Sequence, residues 1–210
     1  MGPTLPPLED ATAMAVYGDQ LLARGDPRGE LVQLQLAREE APFDRRLARL
    51  EAEHLARHAR ELLGGLRTAT SLFELRWQRG FIVEASLRSF AGGQGEWRSG
   101  RWVADEPPRK PKLPRLTREL LALESAQALQ RFTVTLRRSE FASSQLLACA
   151  EELAAAPATL TEVGLHLLVP SQNWDEEEWV PAPAVEARVG ALRVSATESL
   201  AAQLFARVAR

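Results

Sequence analysis

Apolar residues recur three and four positions apart between residues 9 and 63, which is the spacing of amphipathic α-helices. Asp26 is a favourable N-cap, Pro27 suits the first position of a helix, and Gly25 suits the end of the preceding helix. A third helix ends at Gly64-Gly65. The apolar positions of these predicted helices are Met14, Tyr17, Leu21, Leu22, Leu31, Val32, Leu34, Leu47, Leu50, Leu55, Leu62 and Leu63. The pattern therefore predicts a helical region over residues 9–65.

The next segment has an extended pattern. Residues 71–87, SLFELRWQRGFIVEASL, are rich in aromatic and β-branched residues, and Arg79-Gly80 divides them into two short runs. We expect a pair of strands within residues 66–90.

An internal repeat occupies the second half of the chain. The segments LQRFTVTL at 129–136 and LTEVGLHL at 160–167 align without gaps at an offset of 31 residues, and VGALRVSA at 189–196 follows 29 residues later. Each copy has the form L-x-x-L-x-L-x-x, in which alternate side chains of a short strand point inward. Helical runs follow the first copy, over 144–156, and the third, over 197–210. A strand–helix unit of about 30 residues is typical of a leucine-rich-repeat solenoid.

The chain as a whole is predicted to have an α/β fold. An N-terminal helical cap is followed, over residues 119–210, by a short leucine-rich-repeat-like solenoid with parallel strands. The predicted inward residues are Phe132, Val134, Leu136, Val163, Leu165, Leu167, Leu192 and Val194. The predicted outward residues are Thr133, Thr135, Arg137, His166, Arg193 and Ser195.

The second copy of the repeat lacks a helix. In its place, residues 169–188 contain two tryptophans, four consecutive acidic residues and three prolines. One interpretation is that Trp174 and Trp179 fold back over the place of the missing helix. The other is that they belong to an exposed aromatic and acidic binding loop.

Two segments near the N-terminus resemble a known family. VYGDQLLARGDPRGELVQLQLA, at 16–37, and WQRGF, at 77–81, resemble a bacterial repeat-companion domain, an N-terminal unit found ahead of leucine-rich-type repeats. The residues that match its pattern are Tyr17, Asp19, Leu21, Gly25, Asp26, Pro27, Arg28, Glu30, Leu34, Gln35, Trp77, Gly80 and Phe81. Gly18 and Gln20 depart from it, so we expect slightly weaker packing of the first helix. The resemblance covers about residues 9–87 and implies an architecture, a helical cap on a repeat array, without a particular activity.

Composition and charge narrow the classes of function. The formal net charge of −2 provides no overall attraction to nucleic acids or to anionic membranes. The single cysteine, Cys149, excludes an internal disulfide and lies in a helical pattern typical of a buried thiol. We find no signal peptide and no continuous apolar run long enough to span a bilayer, so we expect a cytoplasmic protein without membrane contact.

The motifs of enzymes and metal sites are weakly represented. His54 and His58 have the i, i+4 spacing of a pair of zinc ligands, but no Glu follows the first histidine and the remaining histidine, His166, is distant in sequence. We interpret the pair as flanking a helix interface, and keep a zinc-dependent enzyme as an alternative. The glycines at 92–95 follow no phosphate-binding pattern. We therefore predict a non-enzymatic protein with no catalytic residues, metal or cofactor.

A basic segment follows a stretch without periodicity. Residues 91–115 contain four glycines and four prolines, and we expect 91–118 to form a long basic loop or a linker. Its cations are Arg109, Lys110, Lys112, Arg115 and Arg118, with Trp97 and Trp102 upstream. Basic and aromatic residues together can bind nucleic acid, although the acidic chain favours a plain linker or a peptide-docking segment. The acidic run 175–178 could pair with this segment within the chain or across a dimer, so self-association is a further hypothesis.

These patterns favour a scaffold or adaptor protein that binds another protein. Solenoids commonly bind partners on their exposed strand surface, because it presents side chains at fixed spacing on a rigid element. The predicted contact residues are Arg137, His166 and Arg193, with Trp174 and Trp179 as adjacent aromatic anchors. The alternative is a nucleic-acid-binding module that uses residues 109–118.

Overall fold

The fold was established from a computed structural model. It describes residues 4–89, 95–98, 101–104, 112–137, 142–153, 156–170 and 179–208. The helices are α1 (Ala11–Leu22), α2 (Pro27–Glu40), α3 (Arg45–Arg57), α4 (Ala59–Leu63), α5 (Leu113–Leu121), α6 (Ala142–Glu152) and α7 (Ala201–Val208). The strands are β1 (Phe73–Gln78), β2 (Phe81–Arg88), β3 (Gly95–Arg98), β4 (Arg101–Ala104), β5 (Arg131–Arg137), β6 (Glu162–Pro170), β7 (Trp179–Pro181), β8 (Ala184–Val189) and β9 (Leu192–Thr197). Short 3-10 segments span Gly64–Leu72, Glu124–Ala126 and Glu198–Leu200.

The N-terminal region is helical, as predicted, but its third helix is divided. The side chain of Asp26 accepts a hydrogen bond from the backbone N–H of Arg28 and caps α2, and Gly25 has a φ of 73°. The predicted third helix breaks at His58, whose φ and ψ of −102° and 18° leave the helical range. A short α4 then continues to Leu63, and Gly64 ends it.

The corner between α1 and α2 joins several elements of the fold. The guanidinium of Arg28 is ion-paired with Asp26, lies 2.5 Å from a carboxylate oxygen of Glu124, and stands 5.6 Å from the ring centre of Phe81. Gly29 lies so close to α1 that a Cβ there would be 2.6 Å from the carbonyl oxygen of Gly18. Gly18 is itself buried in this contact, so its small size fits the close approach of the two helices.

The predicted strand pair is confirmed as a β-hairpin. Strands β1 and β2 are antiparallel, and Arg79 and Gly80 connect them. Their φ angles of 47° and 80° are both positive, as a type I′ turn requires.

The strands form one mixed sheet and one separate pair. The order in the larger sheet is β1-β2-β5-β6-β9-β8, with β7 on the carboxyl-terminal half of β6. The pairs β2–β5, β5–β6 and β6–β9 are parallel, whereas the outer pairs are antiparallel. The chain is therefore α/β with a mixed sheet, in which the four parallel strands β2, β5, β6 and β9 are neighbours.

The register of the parallel strands corrects the alignment of the repeats. Phe132 pairs with Val163, as the first offset predicts, and Val163 pairs with Val194, which is 31 residues later instead of 29. A change of two residues leaves every side chain on its predicted face, because side chains alternate along a strand.

The inward residues of these strands form the core with the helices. Phe132, Val134, Val163, Leu165 and Val194 are completely buried. Leu136 and Leu167 are also buried, and Leu192 is half-buried against the core. The same cluster includes residues of α5, α6 and α7, so these helices cover the inward face of the sheet. Among the described residues, no helix is both long and apolar enough to cross a membrane.

Two segments predicted as loops contain strands. β3 and β4 pair within residues 91–115. The glycines and prolines of this segment led to the prediction of a loop, although Trp97, Trp102 and Val103 favour strands. Within 169–188, β7 pairs with β6 and β8 pairs with β9. The described part of this insertion contains no helix between β6 and β9, in agreement with the missing helix of the second repeat.

Candidate functional site

The outward face of the sheet carries a row of charged side chains, one from each of five neighbouring strands. Arg76 of β1 lies 2.8 Å from Glu84 of β2, which is also 3.0 Å from Arg131 of β5. Arg131 is in turn ion-paired with Glu162 of β6, and Glu162 lies 3.7 Å from Arg193 of β9. The strand register places these residues side by side, so each charged side chain lies next to an opposite charge on the neighbouring strand.

One end of this row has an excess of positive charge. Arg188 of β8 pairs in register with Arg193 of β9. Both side chains line a cleft of about 300 Å³, together with Thr161, Glu162 and Ala191. Two like charges opposite each other in a sheet are unfavourable, so an anionic group in this cleft would stabilise the arrangement. We call this cleft, with Arg188 and Arg193, the arginine end.

Arg188 was not among the site residues predicted from the sequence. The signal that could have found it is the turn at Gly190, between two runs of alternating apolar residues, which predicts an antiparallel partner for β9.

Arg137 and Trp179 meet at the opposite end of the same face. The guanidinium carbon of Arg137 lies 5.1 Å from the ring centre of Trp179, which is a cation–π contact. Register places Leu168 beside Arg137, and Trp179 opposite Pro170 two residues later. Trp179 and Leu168 are half-buried. We call Arg137, Leu168 and Trp179 the tryptophan end; Trp174 lies outside the described residues.

His166 lies between the two ends. Its half-buried imidazole lies over Gly164, where a Cβ would be 2.8 Å from the Nε2 atom. Desolvation by burial lowers the pKa of His166 below its ordinary value. The neutral ring can therefore offer a hydrogen bond to a ligand without adding charge to the face.

The predicted contact residues share one face but do not form one compact site. Arg137 pairs with Leu168 and Arg193 pairs with Glu162, so they are six residues apart along β6. At the usual rise of a strand this separation is roughly 20 Å. The predicted contact residues are therefore spaced for an elongated ligand.

The described part of the basic segment is largely engaged in ion pairs. Arg115 lies 2.7 Å from Glu119, and Arg118 lies 2.5 Å from Glu152. Arg109 and Lys110 lie outside the described residues, as does the acidic run 175–178. The pairing leaves less positive charge for phosphate contacts than the sequence indicates.

Cys149 is a completely buried thiol, as predicted. Burial raises its pKa to about 11. The thiolate, which is the nucleophilic form, is therefore scarce at neutral pH.

A potential metal-ligand cluster lies among the N-terminal helices. Glu30, His54 and His58 each place a donor atom within 4.8 Å of the others.

Comparisons of the whole chain with models of protein families, with curated proteins and with solved structures returned no match.

Proposed function

We propose that this protein is a non-enzymatic protein-binding module, a scaffold or adaptor, that uses the outward face of a short repeat array. The arrangement of the parallel strands supports the architecture. Strands β2, β5, β6 and β9 are parallel neighbours in the sheet and occur in the same order along the chain, and helices α5, α6 and α7 share the core cluster of their inward residues. A leucine-rich-repeat-like solenoid also has parallel strands in chain order with helices against their inward face, and this likeness supports the proposal. In the proposed array, the N-terminal helices act as the cap that the resemblance to a repeat-companion domain implies.

The observation that carries the proposal is the row of charged side chains across the outward face. Arg76, Arg131 and Arg193 are each about half-exposed, although they are ion-paired. Exposed ion pairs add little to stability, so this row has little structural value of its own. It does present charges at the fixed spacing of the strands, which provides specificity for a partner.

The two ends of the face define the chemistry of the partner. The arginine end accepts a carboxylate, and the tryptophan end accepts an apolar side chain. A separation of roughly 20 Å corresponds to about six residues of an extended peptide. The proposed ligand is therefore an extended segment of a protein, with an acidic group at one end and an apolar residue about six positions away.

Affinity capture from the host lysate tests this function. The bait proteins are the wild type, the double variant Arg188→Glu/Arg193→Glu at the arginine end, and the double variant Arg137→Ala/Trp179→Ala at the tryptophan end. The matched control is Arg45→Glu/Arg46→Glu, which makes the same charge change at exposed positions on α3. Nuclease treatment of a parallel sample separates protein partners from partners held through nucleic acid.

The expected result is a nuclease-resistant protein that the wild type and the control capture and that both face variants lose. Equal capture by the wild type and the face variants would reject the outward face as the binding surface. Nuclease-sensitive capture would favour the alternative of a nucleic-acid-binding module if it is lost on neutralising all five basic residues of 109–118, which are Arg109, Lys110, Lys112, Arg115 and Arg118.

A further inference from the structure

Three potential metal ligands come together where α2 meets the end of α3. Glu30 lies in the first turn of α2, His54 in the last turn of α3, and His58 directly after α3. The centres of the two imidazole rings are 4.6 Å apart. The sequence shows only the pair of histidines, because Glu30 is 24 residues from the nearer of them and the fold brings it into contact.

The orientation of His54 shows which of its nitrogens is available. Its Nε2 atom lies 2.8 Å from the carbonyl oxygen of Pro27, which can only accept a hydrogen bond. Nε2 therefore carries the proton, and Nδ1 presents a lone pair. A backbone carbonyl that holds the distal N–H is the usual support of a histidine that binds a metal.

The lone pair of His54 is buried and unsatisfied. The side chain is 2% exposed, and Nδ1 has no hydrogen-bond partner among the described residues. A carboxylate oxygen of Glu30 lies 3.3 Å from it, in a contact that lacks hydrogen-bond geometry. Two acceptor atoms that face each other at this distance repel, unless a cation or a proton lies between them.

His58 adds a third potential ligand beside Glu30 and His54. A metal ion uses the lone pairs of both imidazoles and the carboxylate together.

We propose that Glu30, His54 and His58 bind a Zn²⁺ ion. Two imidazoles and one carboxylate form a donor set that suits zinc, whereas calcium and magnesium require mainly oxygen ligands. Donor atoms around a tetrahedral zinc are about 3.4 Å apart, so small side-chain movements of Glu30 and His58, which are partly exposed, complete the site. Water occupies the fourth position. The ion connects the first turn of α2 to the end of α3.

Zinc binding by untagged, chelator-treated protein tests the site. Equilibrium dialysis measures the stoichiometry and affinity for Zn²⁺, and the visible absorption of added Co²⁺ reports the coordination geometry. The test variants are Glu30→Gln, His58→Asn and their combination, because both residues are partly exposed and the fold can tolerate the changes. The matched controls are Glu53→Gln in α3 and His166→Asn on the sheet. Circular dichroism verifies that each variant is folded.

The expected result is one Zn²⁺ per chain for the wild type and both controls, with affinity at least tenfold weaker in each test variant. Added Co²⁺ should give the intense absorption bands of a tetrahedral site in the wild type and in both controls, but not in the test variants. Absence of stoichiometric zinc in the wild type would overturn the proposal. Unchanged affinity in the Glu30→Gln/His58→Asn variant would also overturn it.

Discussion

The absence of a side chain at Gly164 decides the position of His166 on the outward face. The imidazole lies in the space that a Cβ would fill, close to Thr133 as well. This position removes part of the ring from water, and desolvation lowers its pKa. The glycine therefore provides the space for the partly desolvated position in which the pKa of His166 is lowered.

The stability of the protein should decrease with falling pH through His166. Its pKa is lower in the folded state than the value of about 6.5 in an unfolded chain, so the unfolded state binds more protons just below that pH. The contribution is present above about pH 6.5 and is lost as the pH falls toward the folded pKa. Replacing His166 with Gln should remove this part of the pH dependence. Urea unfolding of both proteins at about pH 7.5 and about pH 5.5 measures it.

The loss of stability between those pH values should be larger in the wild type than in His166→Gln. Carboxylates titrate equally in both proteins, so the difference between the two losses of stability measures the contribution of His166. An identical loss in both would show that the imidazole is not desolvated in the folded state.

At the scale of elements, close contact of α1 and α2 depends on glycine in the interface. A Cβ at Gly29 would lie 2.6 Å from both the carbonyl oxygen of Gly18 and the backbone nitrogen of Leu22. Backbone atoms cannot move aside as the end of a long side chain can. The corner between α1 and α2 thus combines a cap, an ion pair and a close helix contact within residues 25–30.

Gly29→Ala should destabilise the protein by about 1–3 kcal/mol, because the added methyl group forces α1 and α2 apart. This exceeds the gain of up to about 1 kcal/mol that alanine brings within a helix. Denaturant unfolding with an unchanged m-value measures the effect.

Gly65→Ala is the matched control for this prediction. Its Cβ would meet only the end of the flexible Glu119 side chain, at 3.1 Å. We expect a change smaller than about 1 kcal/mol. Equal unfolding midpoints for the two variants would contradict the close contact.

At the scale of the whole molecule, two hydrophobic clusters are connected by elements that contribute residues to both. The larger cluster extends from Leu31 of α2 to Leu204 of α7 and includes the inward residues of the sheet. The smaller contains Met14 of α1 and Val32 of α2. Strand β2 and helix α2 contribute to both clusters, so the N-terminal helices and the sheet are expected to unfold together.

Phe132→Ala should therefore destabilise the helices and the sheet equally. Loss of this completely buried ring in β5 costs about 3–5 kcal/mol. Denaturant curves followed by far-ultraviolet circular dichroism and by tryptophan fluorescence should coincide before and after the substitution. Thr133→Ala, on the outward face of the same strand, should shift both curves much less. Separate transitions for the two signals would contradict the single cooperative unit.

The sequence determined those features that depend on neighbours along the chain. Asp26 and Pro27 predict the start of α2, Arg79 and Gly80 divide the extended segment into two strands, and alternation predicts which residues of β5 and β6 are inward. Each follows from a cap, a positive φ or a period of two, which are local properties.

Only the tertiary structure decided which distant residues meet. The pairing of Val163 with Val194 follows from hydrogen bonds across β6 and β9, and a shift of two residues is invisible to a pattern with a period of two. The charged row, the pairing of Arg188 with Arg193, and the approach of Glu30 to His54 depend on which elements are neighbours in space. Local propensity contains no information about such contacts, because packing of whole elements brings them about.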